Sequence, residues 1–277
     1  MDAFADYVVV RPLGDDPAGR SWLARPPARL GLDDEQVALH LLGEASTPDH
    51  IDRLARALGA HAAVGSPKLA DLHEVGEHDG RVFYSAEHHR SGSLAQPSRP
   101  LSREEVLFAV ADAAVGAHHL HEAGLTHGNI RPNNMMLTED GAKLAEPGAA
   151  VLEPGQLTTG ERALPGGSGL LATLSPEVLR GEGTSRATDI WALGVSLHLV
   201  LTGHSVFAKA PEAPVVEILR HTLSHQPVLG EPLSEAESEI LLSTLAADPA
   251  QRPGTAAELA ERIRAEAQHQ RQAIERS

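Results

Sequence analysis

The sequence predicts an α+β chain in two lobes, a small β-rich lobe first and a larger helical lobe after it. Three observations predict this. Over the first ~90 residues, short apolar runs are broken at Gly and Pro, the pattern of strands and turns. Beyond Gly92 long stretches with helical spacing take over. The chain has 277 residues and is 42% apolar, enough for one large domain or two lobes sharing a cleft.

The elements follow in order. Residues 7–13 (YVVVRPL) read as a strand, LGDDPAG as a turn, and SWLAR as the next strand. Residues 36–42 (QVALHLL) form another. Residues 49–63 have helical spacing, with Ile51, Leu54, Ala55 and Leu58 on one face. Strands are expected at 69–75 and 82–86, around the turn EHDG. A long helix spans 102–124, opened by SREE, in which a serine cap precedes a glutamate three residues on. Further helices are expected at 175–181, 187–202, 213–221, 234–246 and 255–276. Residues 148–174 are Gly-rich and lack periodicity, so a long mobile loop is expected. The expected boundaries are a first lobe at 1–90, a second at 91–265 and a helical tail at 266–277, with a hinge at 87–92.

Composition excludes several classes of function. With no cysteine, disulfides, thiolate zinc sites and cysteine nucleophiles are ruled out. Aromatics are only 3%, so Leu, Val and Ala must fill most of the core. The formal net charge of −15 disfavours nucleic acid and anionic lipid as partners. Three lysines, Lys68, Lys143 and Lys209, are the candidates for any role that needs one. The first residues carry no basic signal region, and the longest apolar stretch, 190–203, is too short to span a bilayer and contains His198. A soluble, cytoplasmic chain with no membrane contact is the expectation.

Eight landmarks occur in a fixed order: LGDDPAGRSWLAR, VALHLL, EHHRSGSL, LHEAGLTHGNIRPNNMML, DGAKLAEPG, LSPEVLRG, DIWALGVSLHLVLTG and DPAQRP. This order and spacing resembles a protein kinase domain of the bacterial serine/threonine type, over residues 7–265. The resemblance implies the bilobal protein kinase-like fold. It implies that Glu177 pairs with Arg252, that Asp189 caps the turn holding the HGN loop, and that His127 packs below the cleft.

The positions that carry the family's chemistry depart from its pattern. The strand lysine that holds the α and β phosphates is His40, whose neutral imidazole is shorter and mostly uncharged near pH 7. The lysine's helix glutamate has no counterpart, because 53–70 contains no Asp or Glu. The catalytic aspartate is Asn129, and an amide cannot take a hydroxyl proton. The arginine before it is Gly128, so phosphorylation of Thr158, Thr159 or Thr173 is not expected to switch the chain in the family's way. Asn134 matches the metal-binding asparagine, but the metal-binding aspartate is Glu146, one methylene longer, followed by Pro147. Gly14 and Gly19 match the glycine loop, while Asp16 replaces its middle glycine and Asp15 flanks it. Leu170 and Thr173 replace the Thr and Tyr that help position a peptide substrate. Backbone groups at 87–90 remain able to meet a purine.

The resemblance therefore implies a degenerate member with no catalytic residue. It leaves a vestigial cleft of Gly14, Asp16, Gly19, Glu87, Asn134 and Glu146. No metal is expected, with Asn134 and Glu146 as weak candidates, and no cofactor beyond weak ATP with or without Mg²⁺ or Mn²⁺. The expected function is a pseudokinase scaffold or regulator, not an enzyme, that presents a surface to a protein partner: an active kinase, a phosphatase or a phosphopeptide-binding domain. The alternatives are a nucleotide-binding sensor and a non-canonical nucleotide-dependent transferase on the same fold. The histidines of HHLHEAGLTH (His118, His119, His121 and His127) also suggest a metal cluster, but His121 falls on the family's L-H dipeptide, which favours a structural role.

Overall fold

A computed structural model describes residues 3–13, 21–32, 36–44, 48–147, 173–207, 215–224 and 227–275. The chain divides into two compact units. The first comprises Met1–Gly65 and Ala70–His89, the second Ser66–Leu69 and Arg90–Ser277.

The first unit is built on an antiparallel sheet. Its strands are β1 (Ala3–Phe4), β2 (Tyr7–Pro12), β3 (Ser21–Arg25), β4 (Val37–Glu44), β5 (Leu72–His78) and β6 (Arg81–Glu87), in the spatial order β1-β2-β3-β4-β6-β5. One helix, α1 (Pro48–Ala62), belongs to the same unit. Residues of period two point inward from β3, β4 and β6, so Ala24, Val37, Leu39, Leu41 and Phe83 bury together with Phe4 and Tyr7. The scarce aromatics are concentrated here. Phe4 and Tyr7 both meet the Phe83 ring edge-to-face, at 5.5 and 5.9 Å between centroids. Gly76 on β5 makes room for that ring: a Cβ there would sit 2.7 Å from Phe83 Cζ. Leu58 of α1 is fully buried against Tyr84 and Ala86, as its spacing predicts. The side chains of Ile51 and Leu54 lie outside the described part.

The β5 strand starts three residues later than the sequence suggested. The apolar Leu69 that drew the boundary forward instead bridges Leu144, within the second unit. At the rim of the sheet, the Tyr7 hydroxyl donates to Glu74, and Arg29 holds both Asp6 (2.8 Å) and Glu74 (2.8 Å). Burial and the Glu74 carboxylate push the Tyr7 phenol well above its usual value.

The second unit is helical, with a small sheet. Strands β7 (Gly92–Ser93), β8 (Gln96–Pro97), β9 (Met135–Thr138) and β10 (Gly141–Leu144) are ordered β10-β9-β7-β8. Its helices are α2 (Arg103–Glu122), α3 (Pro176–Leu179), α4 (Arg186–Thr202), α5 (Val215–Leu223), α6 (Glu235–Thr244) and α7 (Ala256–Glu275). The opening of α2 forms the capping box read from SREE: Ser102 Oγ accepts the Glu105 N–H, and Glu105 accepts the Ser102 N–H. Arg99 also binds Glu105, and together these contacts lower its carboxyl to about 2.

Helix α2 is the central strut. Its alanine-rich middle, Ala109 to Ala114, is buried, which lets α7, β10 and α4 pack closely around it. Buried Asp112 on α2 ties three elements together. It accepts from Lys68 Nζ (2.8 Å), Arg264 Nη2 on α7 (2.7 Å) and the Ala142 N–H on β10 (3.2 Å). A second buried carboxylate, Glu237 on α6, accepts a forked pair from Arg103 (2.8 and 2.6 Å) and the Ser234 N–H. Burial pushes Glu237 up, but Arg103 and its other donors outweigh this and hold it below its ordinary value. No described helix is long and apolar enough to cross a membrane.

Candidate active site

The loop HGNIRPNN crosses the second unit between α2 and β9, and its shape is set from below by one carboxylate. Asp189, in the first turn of α4, is almost fully buried. It accepts the N–H groups of His127 (2.8 Å) and Gly128 (2.9 Å), and faces His121 Nε2 on α2 at 2.9 Å. Gly128 turns through φ +70°, a conformation that glycine adopts without strain. Three of the four histidines of HHLHEAGLTH have separate partners: His121 faces Asp189, His119 Nδ1 faces Ser66 Oγ (2.6 Å), and His127 Nε2 faces the Ala145 carbonyl (3.1 Å). Among the described residues no three His, Cys, Asp or Glu side chains gather as a metal set.

His127 has one tautomer in this network. Its Nδ1 accepts the Asn129 N–H (3.3 Å), so Nε2 carries the proton and donates to Ala145. The loop is thereby stitched to the segment leaving β10. Two more bonds complete the seam. Asn129 Nδ2 donates to the Glu146 carbonyl (3.0 Å), and the Ala145 N–H donates to the Asn134 carbonyl (2.8 Å). Asn134 closes the loop on itself, its Nδ2 donating to the Asn129 carbonyl at 2.8 Å.

These bonds fix which way both amides point. Reversing Asn129 would set its oxygen against the Glu146 carbonyl, and reversing Asn134 would do the same against Asn129. Both side-chain oxygens, Asn129 Oδ1 and Asn134 Oδ1, are consequently buried without a partner. A buried unpaired acceptor costs stability, so these two oxygens are the open acceptor positions of the loop.

Glu146 follows at φ +56°, in the left-handed region, which for a glutamate stores about 1–3 kcal/mol. Its carboxylate is one-quarter exposed and lies 3.7 Å from Arg131 Nη2. Arg131, two residues after Asn129, was not singled out from the sequence. Its signal was a basic residue directly ahead of Pro132 in a loop otherwise free of charge.

Asn134 Oδ1 and the Glu146 carboxylate are oxygen ligands of the kind Mg²⁺ and Mn²⁺ prefer, and the unpaired Asn134 oxygen is the feature such an ion would satisfy.

In the first unit, His40 sits on β4 opposite Ser21 on β3. Its Nδ1 lies 3.0 Å from Ser21 Oγ, and its ring stacks on Tyr84 at 4.7 Å. Lys68, one of the three lysines of the chain, belongs to the second unit and is bound to Asp112. Glu87 ends β6, and its backbone N–H is already donated to the Asp71 carbonyl (2.8 Å). Gly14, Asp15, Asp16 and Gly19, the loop 148–172 with Thr158 and Thr159, and Leu170 lie outside the described residues.

Below the loop, Ser175 caps α3 by accepting the Val178 N–H. Arg252 takes Glu177 with both terminal nitrogens (2.7 and 3.3 Å) and lies over the Trp191 ring at 4.8 Å. Thr173 and Ser175 line a small cavity with Gly128, Asn129, Thr188 and Asp189, beside the loop.

The protein kinase domain family matches residues 31–263. The serine/threonine-protein kinase PknJ of Mycobacterium tuberculosis is 26% identical over 266 residues, covering 93% of this chain and 44% of its own. PknK of the same organism, also named a serine/threonine-protein kinase, is 30% identical over 238 residues, 83% of this chain and 21% of PknK. The tyrosine-protein kinase MasK of Myxococcus xanthus is 27% identical over 280 residues, 95% of this chain and 43% of MasK. The chain spans less than half the length of each. These findings correct one expectation. A non-enzyme was anticipated from His40, Gly128, Asn129 and Glu146, yet the relatives matched along most of the chain are named as enzymes, all of them kinases. Loss of a base does not by itself remove the positioning and charge neutralisation on which phosphoryl transfer mainly depends.

Proposed function

Because the chain belongs to the protein kinase domain family, we propose that it is a nucleotide-dependent phosphotransferase that works by positioning and charge neutralisation, without a carboxylate base. The observation that carries this reading is the pair of buried, unpartnered oxygens Asn129 Oδ1 and Asn134 Oδ1. Asn134 Oδ1 and the Glu146 carboxylate would hold a divalent cation, which when bound supplies charge neutralisation to phosphate oxygens. Asn129 Oδ1 can accept a hydrogen bond from an acceptor hydroxyl and so aim it. It cannot remove the proton. In a loose transition state the proton leaves late, to water or to the transferred group, and a missing base costs about 10²–10⁴ in rate. Slow turnover is the expected consequence.

The test is intact-mass spectrometry of the protein with an added hydroxyl acceptor, after incubation with ATP and Mg²⁺ or Mn²⁺. A metal-dependent phosphoryl adduct that disappears in Asn134→Ala supports the reading. A nucleotidyl adduct would instead mean that the nucleotide lies in a reversed pose and a different part of it is transferred. Absence of any adduct with either metal would overturn it.

A further inference from the structure

Three neighbouring strands of the first unit each place one residue in a row. Ser21 on β3 is paired with His40 on β4, and His40 with Tyr84 on β6. Directly paired residues project from the same face of a sheet, so the three side chains stand side by side. Ser21 Oγ lies 3.0 Å from His40 Nδ1, and the His40 ring lies on Tyr84 at 4.7 Å, 15° from parallel. Tyr84 is buried in turn against Leu58 of α1. His40 is 8% exposed, whereas Ser21 is only partly buried. The hydroxyl is therefore the end of the row that a reagent can reach, and the imidazole is its shielded neighbour.

We infer that Ser21 is an activated nucleophile that takes a phosphoryl group covalently, with His40 as its general base. A serine hydroxyl alone is a weak nucleophile. A base within hydrogen-bond reach, itself oriented by a third group, activates it. Here the strand register sets the distance and Tyr84 holds the ring, all on sheet strands, which position side chains more closely than loops do. With the imidazole proton on Nε2, Nδ1 accepts the Ser21 hydroxyl hydrogen. The phosphoryl donor is a nucleoside triphosphate, a choice that rests on the nucleotide-dependent reading proposed above. Ser21 Oγ attacks the terminal phosphorus. An Oγ–P bond forms, the bond from that phosphorus to the bridging oxygen breaks, and the nucleoside diphosphate leaves with the electron pair. The hydroxyl proton passes to His40 Nδ1 and from there to solvent. The product is a phosphorylated Ser21. His40 thus supplies a base in a chain whose Asn129 amide is none.

Tandem mass spectrometry of the full chain tests this with two probes: ATP with Mn²⁺, and a fluorophosphonate, which is electrophilic at phosphorus and needs no nucleotide site. Both should label Ser21, the fluorophosphonate with loss of fluoride. Neither should label Ser93, a serine that is also partly buried and whose hydroxyl oxygen accepts the Gln96 N–H instead. In His40→Gln the labelling rate at Ser21 should fall about 100-fold or more. Circular dichroism confirms that the variant folds. An unchanged labelling rate in His40→Gln would overturn the inference. So would a Ser21 that neither probe labels; if phosphoryl groups still reach an added hydroxyl acceptor, the transferase reading then stands without it. Fluorophosphonate labelling of Ser21 that depends on His40, with no transfer from ATP to any acceptor, would support the activated nucleophile and overturn the transferase reading.

Discussion

Arg252 and Glu177 meet through two nitrogens and two oxygens, at 2.7 and 3.3 Å, with the arginine fully buried. Two further arginine donors go to the carbonyls of Ala246 and Ala187, both at 3.0 Å. One face of the guanidinium also lies over the Trp191 ring. Arg252→Ala should destabilise the protein by about 3–5 kcal/mol, because it strands a buried carboxylate as well as removing a pair. Burial pushes Glu177 up, but Arg252 and Ser175 more than offset this and hold it below its ordinary 4.5. Its stabilising contribution is therefore present above pH 4.5 and is lost as pH falls through the lowered value. Urea denaturation of both proteins at neutral and acid pH checks the size and the slope.

His198 gives a second pH dependence, in a different window. It is fully buried on α4; its Nδ1–H donates to the His204 carbonyl (2.9 Å) and its Nε2 accepts the Gly230 N–H (3.0 Å). Burial lowers its pKa from 6.5 and outweighs the hydrogen bond to the His204 carbonyl, which raises it. The folded chain thus binds the proton less readily than the unfolded one. Stability from this group is complete above pH 6.5 and declines as pH falls below that toward the lowered value. His198→Gln should flatten stability between about pH 7 and 5.5, read from thermal melts across that range.

Gly76→Ala should destabilise the first unit by about 1–3 kcal/mol, since the new methyl must displace the Phe83 ring. That ring also supports Phe4 and Tyr7. A truncating change at Phe83 alongside it, Gly76→Ala with Phe83→Leu, should recover part of the loss. The two-by-two denaturation cycle measures the coupling.

Asn129→Asp places a carboxylate where an amide donor now meets the Glu146 carbonyl. The fold should lose about 1–3 kcal/mol from the broken bond and the opposed oxygens. Transfer to a hydroxyl acceptor should nonetheless rise, by about 10²-fold, because a general base is supplied. Denaturation and single-turnover phosphorylation read the two effects separately.

The parts legible in the sequence were those fixed by local rules. The capping box of Ser102 and Glu105 and the buried Leu58 on α1 follow from spacing within a few residues. What escaped depended on register or on long loops. Nothing near His40 in sequence announces Ser21, which comes opposite only through the pairing of β3 and β4. Leu69 looked like the start of a strand because apolarity does not say which unit it serves. Arg131 was passed over because its partner, Glu146, lies fifteen residues away across a hairpin. The expectation of a non-enzyme came from counting lost side chains, whereas the transfer chemistry leans on groups that orient and neutralise.

Residues 66–69 have a practical meaning for anyone dissecting the protein. This short segment supplies Lys68 to Asp112, a carbonyl to the Leu144 N–H (2.9 Å), and Ser66 to His119. A fragment begun at Arg90 would keep every helix of the second unit and still lack a piece of its wall. Asp112 would be left with Arg264 as its cationic partner, and the edge of β10 would be bare. The second half of the chain is thus not separable by a single cut, and a viable excised version would need this tetrapeptide restored through a linker or a permuted connection.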